Sequence, residues 1–126
     1  MHRSRLATVI IDLDEGNFEQ GAGFWSAALG RERFVKSERY ESLRGRLGGE
    51  GGLYVGLQRG MDDPQRFHLD IETDNVEAEV SRLEALGAQL KARIRSHVVM
   101  RAPGGHTFCV IPASRRDFAG NTNSWP

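Results

Sequence analysis

The sequence predicts an α+β fold made of two βαβββ modules, and three observations carry that expectation. Two stretches of the 126 residues look alike when the chain is laid against itself. Each opens with a β-rich run, Leu6 to Ile11 in the first and Arg66 to Ile71 in the second, followed by an acidic turn and a helical pattern. Each helical pattern stops at Leu-Gly, at Leu29-Gly30 and at Leu86-Gly87, which sets the repeat at about 57 residues.

After the first strand, Asn17 is expected to cap the first helix, with Gln20 at the matching position and Gly30 as its stop. Its apolar side holds Phe18, Trp25, Ala28 and Leu29. Gly21 and Gly23 each weaken an isolated helix by about 1 kcal/mol relative to Ala, so it must depend on packing of Phe18, Phe24 and Trp25. Strands are then expected at Arg33 to Lys36, Arg39 to Leu43 and Leu53 to Gln58, with the Gly45 to Gly52 cluster as a hairpin tip. That cluster has no Gly-Lys-Ser/Thr ending and no following helix, so it is not a phosphate loop. In the second module Asp74 and Glu77 read as a capping box, and Val76, Val80, Leu83 and Leu86 recur at helical spacing. Strands follow at Gln89 to Ile94, His97 to Arg101 and Thr107 to Ile111, with Pro103-Gly104-Gly105 as a tight turn. Module 1 thus spans about residues 5–60 and module 2 about 65–112. Residues 113–126 are polar without periodicity and read as a mobile or surface-lying tail.

Composition narrows the function classes. Lys and Arg number 17 and Asp and Glu number 17, so the formal net charge is zero. A nucleic-acid binder carries a basic excess and a peripheral membrane protein a basic face, so neither partner is expected. No apolar run approaches the length of a membrane span. The start Met1 to Arg5 lacks the hydrophobic stretch of a signal peptide, so the cytoplasm is expected. The single cysteine, Cys109, cannot form an intrachain disulfide, so no oxidising compartment is required.

Three segments carry a family resemblance. Phe24-Trp25-Ser26-Ala27-Ala28-Leu29-Gly30 resembles the first-helix signature of the vicinal-oxygen-chelate superfamily of glyoxalases, bleomycin-resistance proteins and extradiol dioxygenases. His68-Leu69-Asp70-Ile71, with Asp74 to Gly87, is similar to the second-module strand and helix of that superfamily. Ala102-Pro103-Gly104-Gly105-His106-Thr107-Phe108-Cys109-Val110 is similar to its closing hairpin, usually written Asp-Pro-x-Gly-Asn. The similarity covers residues 5 to 112 and is strongest to the glyoxalase-like branch. It implies a single glyoxalase-like domain over 1–126, whose two modules form a curved mixed sheet around a cavity. It also implies that any metal ligands come from the first and last strands of each module.

Period-two alternation tests those ligand positions. Thr8, Ile10 and Asp12 are expected to face the cavity, as are Tyr54, Gly56 and Gln58 on the fourth strand. On the fifth, Phe67, Leu69 and Ile71 should be buried while His68, Asp70 and Glu72 face the other way. On the last strand Thr107, Cys109 and Ile111 should face the cavity. Thr8 then stands where metal-binding relatives have a histidine, Gly56 nearest a carboxylate position, and Cys109 where relatives carry a glutamate. His68 alone matches a metal ligand. A Zn²⁺ site would accept a His–Cys pair but needs further donors.

The reading that follows is a protein binding a small organic molecule without the complete metal site. Its ligand-binding candidates are His68, Asp70, Tyr54, Gln58, Cys109, Arg101 and Thr8, and its catalytic residues are left open. The alternative is a lyase, isomerase or dioxygenase using Zn, Ni or Fe at His68, with Gln58 or Asp12 brought into range by a register shift. A third reading is an interaction module with a collapsed cavity. His97 and Arg101 share a strand face, and Arg with His can bind a carboxylate or phosphate. The aromatic pair of the first helix, with the superfamily's habit of dimerising, points to a homodimer.

Overall fold

The computed structural model describes residues 1–61 and 66–126; the junction expected near residue 65 lies outside the described residues. The described chain is α+β and groups into two compact units, Thr8–His68 and the segments Met1–Ala7 with Leu69–Pro126.

The first unit holds the second half of β1 (His2–Asp12), a 3-10 turn (Glu15–Asn17), α1 (Phe18–Leu29), β2 (Arg33–Val35), β3 (Tyr40–Leu47) and β4 (Leu53–Gln58). β2 pairs antiparallel with β3 and β3 with β4, whereas β4 lies parallel to β1. Parallel neighbours need a long crossover, which α1 and the β2–β3 hairpin supply. Ile11, Phe18, Ala22, Leu43, Val55 and Leu57 form the core, with Trp25 packed against it. Phe24, expected to help dock the helix, is 60% exposed; Phe18, Ala22 and Trp25 do that work.

Both ends of α1 have local causes. The side-chain cap falls earlier than expected, because the Asp14 carboxylate accepts from the Asn17 N–H at 3.1 Å while Asn17 makes no side-chain cap bond. Gly30 ends the helix in the left-handed conformation at φ 65°, where other residues are strained. β3 runs past Leu43 because the strand bulges, shifting register between Leu43 and Leu47 around Gly45.

The second unit holds β5 from Leu69 on (β5 is Phe67–Thr73), α2 (Val76–Ala85), β6 (Gln89–Ile94), β7 (His97–Arg101) and β8 (Thr107–Pro112). β5 lies parallel to β8, β8 antiparallel to β7, and β7 antiparallel to β6. This is the same βαβββ order as in the first unit. Val80 and Leu83 of α2 pack on Val98, Met100, Phe108 and Val110, with Ile71 at the margin.

Three details of this module differ from the sequence reading. The helix cap is Asn75, whose side chain accepts from the Ala78 N–H at 3.0 Å; Asp74 instead accepts from the Arg3 N–H at 2.7 Å. Leu86 is exposed and Glu79 takes a buried place on the helix, because Glu79 meets hydrogen-bond donors there. Phe67 and Leu69 are exposed rather than buried, since the apolar cluster under α2 takes in β5 only at Ile71.

Residues 113–126, expected as a tail, contain a 3-10 turn (Phe118–Gly120) and β9 (Asn123–Trp125). β9 pairs antiparallel with the start of β1, His2 opposite Trp125 and Ser4 opposite Asn123. Phe118 is buried, and Asp117 pairs with Arg5 at 3.0 Å. Polar sequence without periodicity hides such anchoring, because two aromatic residues and one ion pair supply it.

Candidate functional site

In the first unit, parallel pairing of β1 with β4 places Thr8 opposite Tyr54, Ile10 opposite Gly56 and Asp12 opposite Gln58. Ile11, Val55 and Leu57 face the helix, so alternation turns the first set to the other side of the strands. Packing agrees: a Cβ on Gly56 would lie 2.7 Å from Ile10 Cδ1 and 3.6 Å from Thr8 Cγ2. Ile10 thus fills the space that a longer residue at position 56 would need.

The polar centre of this unit is a pair that the sequence reading did not assemble. His68 Nδ1 lies 2.9 Å from Asp12 Oδ2, and both side chains are largely withdrawn from water, at 11% and 6% exposure. A hydrogen bond from Nδ1–H to this carboxylate fixes the orientation of the imidazole ring. The other oxygen, Asp12 Oδ1, is buried with no hydrogen-bond partner among the described residues. Leaving such an atom unsatisfied costs about 1–3 kcal/mol. Alternation had put Asp12 on this face, but residues 56 apart in sequence carry no local signal of pairing.

Gln58, opposite Asp12 in register, is half-buried, and Thr8, further along the same face of β1, is buried. Tyr54 has the Arg46 guanidinium 4.6 Å from its ring centroid. Tyr40 lies opposite Gln58 and lines a separate hollow of about 220 Å³ with Glu41 and Arg59. The hollow is held by charge. Arg33 grips Glu41 with two bonds of 2.7 and 2.9 Å and also reaches Glu19, and these bonds raise the Arg33 pKa above its ordinary value.

In the second unit, β5–β8 pairing sets Asp70 directly opposite Cys109 and Glu72 opposite Ile111. Ile71, Phe108 and Val110 face the helix, so Asp70 and Cys109 share the other face, as expected. Within this unit Asp70 and Cys109 thus set a carboxylate and a thiol side by side on one face. Arg101 lies exposed at the end of β7, opposite Thr107, and His97 is exposed at the other end. Deeper on the Asp70 face, Arg5 Nε lies 2.5 Å from Glu72 Oε1 while its Nη2 reaches Asp117. Burial lowers the Arg5 pKa, but the bonds from Asp117 and Glu72 outweigh it and hold the guanidinium charged.

The family model described as a glyoxalase-like domain matches residues 8–111. The chain belongs to that family. No curated protein matches it in sequence. Among solved structures it resembles a Mn(II)-bound glyoxalase from Novosphingobium aromaticivorans, with TM-score 0.62 and 18% identity. That likeness covers 89% of this chain but 40% of the other, so the chain spans less than half the length of that glyoxalase. A methylmalonyl-CoA epimerase in complex with methylmalonyl-CoA is similar at TM-score 0.57 and 14% identity, covering 88% of this chain and 95% of the other. A glyoxalase/bleomycin resistance protein/dioxygenase superfamily member from Vibrio splendidus gives TM-score 0.52 and 18% identity, over 87% and 99% of the two chains. At these identities the likeness is one of fold.

The four-ligand arrangement that the glyoxalase-like resemblance implies does not fit this chain. Gly56 has no donor and Ile10 fills its space, and Thr8 offers only a neutral hydroxyl. No helix among the described residues is long and apolar enough to cross a membrane.

Proposed function

We propose that this glyoxalase-like protein binds a small organic molecule at the face bearing Thr8, Asp12, Tyr54, Gln58 and His68, without the four-ligand metal site implied by its family resemblance. The single observation that carries the reading is the Asp12–His68 pair, withdrawn from water with Asp12 Oδ1 unsatisfied. A ligand hydroxyl or amide N–H that donates to Oδ1 would satisfy it. The reading also takes the cytoplasm as the setting, in keeping with neutral charge and a single cysteine.

A thermal-shift screen with drug-like compounds and aldehyde adducts tests this, since a molecule bound only by the folded state raises the melting temperature. A compound that stabilises the native protein should lose most of its effect in Asp12→Asn and His68→Ala. Stabilisation that is equal in both variants would overturn the reading.

A second reading keeps a metal-dependent lyase, isomerase or dioxygenase in which the His68 imidazole is a ligand to the ion, as suits Zn²⁺. A bound ion there would act as a Lewis acid, with Asp12 holding the His68 ring in orientation. Stoichiometric Zn²⁺, Ni²⁺ or Fe²⁺ uptake that is lost in His68→Ala would favour it over the first reading.

We also propose a homodimer formed through Phe24, Trp25 and Phe67. Their rings meet edge to face at 5.1 and 6.3 Å, and Phe24 and Phe67 are mostly exposed. Light scattering giving a mass of 14.0 kDa at micromolar concentration would overturn this.

A further inference from the structure

The second unit has a groove of about 420 Å³ to which the reading above gives no role. Ile71 and Phe108 at its floor belong to the apolar cluster under α2, Arg5 and Thr107 also line it, and neither Asp70 nor Cys109 does. Leu6 and Leu69 continue the floor and are 39% and 42% exposed, which leaves apolar surface open at the bottom of a concavity. The volume is that of an ordinary small-molecule pocket.

One wall is held rigidly. The Trp125 indole N–H donates to Ser4 Oγ at 2.9 Å, and the Arg82 guanidinium stacks 3.8 Å from the ring centroid. Arg82 is itself tied to Glu79 through Nε, at 2.8 Å, and through Nη2. Both bonds leave Nη1 as a donor at the edge of the groove, and the Thr107 hydroxyl lies on its lining.

Charge decides the kind of ligand. Burial pushes the fully buried Glu79 carboxyl up, but bonds from Arg82, Ser4 and His2 outweigh it and hold its pKa below the usual carboxylate value. Glu79 is therefore ionised and already neutralises Arg82. The other guanidinium of the lining, Arg5, is likewise neutralised by Glu72 and Asp117, so the groove offers hydrogen-bond donors with no net positive charge, which favours a neutral acceptor over an anion.

We infer that this groove is a second binding site, for a flat, neutral, largely apolar molecule that carries one carbonyl-type acceptor. The molecule packs on Leu6, Leu69 and Phe108 against the Trp125 face, and its acceptor takes the Arg82 Nη1–H or the Thr107 hydroxyl. The site lies on residues separate from Asp12 and His68.

Fluorenone is the probe, compared with fluorene, which lacks the acceptor, and with fluorene carboxylate, which is anionic. In a Trp25→Phe background Trp125 is the only tryptophan, so its emission reports this groove alone. Fluorenone should quench it saturably, and fluorene should bind about five-fold more weakly, the worth of one neutral hydrogen bond. The carboxylate should bind no better than fluorenone. Leu69→Glu, which places a charge on the exposed floor, and Ala102→Phe, which fills the groove, should abolish saturation with the far-UV spectrum unchanged. Asp12→Asn with His68→Ala should leave it intact. The inference is overturned by an absence of saturable quenching, by unchanged binding in whichever of the two groove variants folds, or by strongest binding of the carboxylate. Loss of binding in the Asp12/His68 variant alone would also overturn it, while leaving the first site standing.

Discussion

The second unit pairs its buried Glu72 and Glu79 with guanidinium groups, whereas the first does so for its buried Glu41 but not for Asp12. In the second unit Glu72 and Glu79 are almost wholly inaccessible, yet Glu72 meets Arg5 and Glu79 meets Arg82 and His2. In the first unit Asp12 is as deeply placed, but it meets one imidazole and keeps an oxygen with no partner. A guanidinium neutralises each of the paired glutamates, and Glu79 has both oxygens bonded, Oε1 by Arg82 and Oε2 by His2, which is what a structural role needs. An imidazole with an unsatisfied oxygen beside it leaves binding capacity unused, which is what a ligand site needs. The contrast separates framework from site among residues of the same chemical type.

The largest effect should come from breaking the framework. Arg5→Ala leaves Glu72 and Asp117 without their main partner, and urea denaturation should show a loss of about 3–5 kcal/mol. A loss under about 1 kcal/mol would mean that Arg115, 3.8 Å from Glu72, takes over the role.

Acid should then weaken the second unit through Glu79. Its folded pKa lies below the usual 4.5, so its contribution is fully present above that value and is lost as pH falls through the folded value. The stability difference between the native protein and Glu79→Gln should therefore be constant from pH 7 to about 5.5 and shrink in more acid solution. A difference that grows on acidification would break the assignment of Glu79 as a paired, ionised group.

Replacing Asp12 should cost far less. Asp12→Asn keeps the shape and removes a buried charge that is only partly satisfied, so stability should change by under about 1 kcal/mol while ligand stabilisation is lost. If it instead destabilises as much as Arg5→Ala, the Asp12–His68 pair belongs to the framework.

The smallest effect is expected at Phe24. It is mostly exposed, so Phe24→Ser should leave unfolding within about 0.5 kcal/mol and act only on self-association, read by sedimentation.

Much of the fold was legible because its signals are local. Gly30 and Gly87 take positive φ at the helix ends, and β4, β6 and β7 fall where alternation put them. The faces of β1, β4 and β8 also follow from period two once one side has an apolar partner. Phe67 and Leu69 show the limit of that logic. They alternate like core residues, but burial depends on whether a helix reaches them, and strand periodicity does not record that.

The sequence by itself determined the two modules, the family and the chemical types on each strand face, since these depend on spacing within a few residues. It also put Thr8 and Gly56, which carry neither an imidazole nor a carboxylate, on the strand faces where the family resemblance implies metal ligands. Only the tertiary structure decided which polar groups meet. Asp12 and His68, Arg5 and Glu72, and Ser4 and Trp125 are each more than 50 residues apart. Such pairs depend on how strands register against one another, and no short-range pattern encodes that. The same is true of the groove beside Trp125, whose walls come from both ends of the chain.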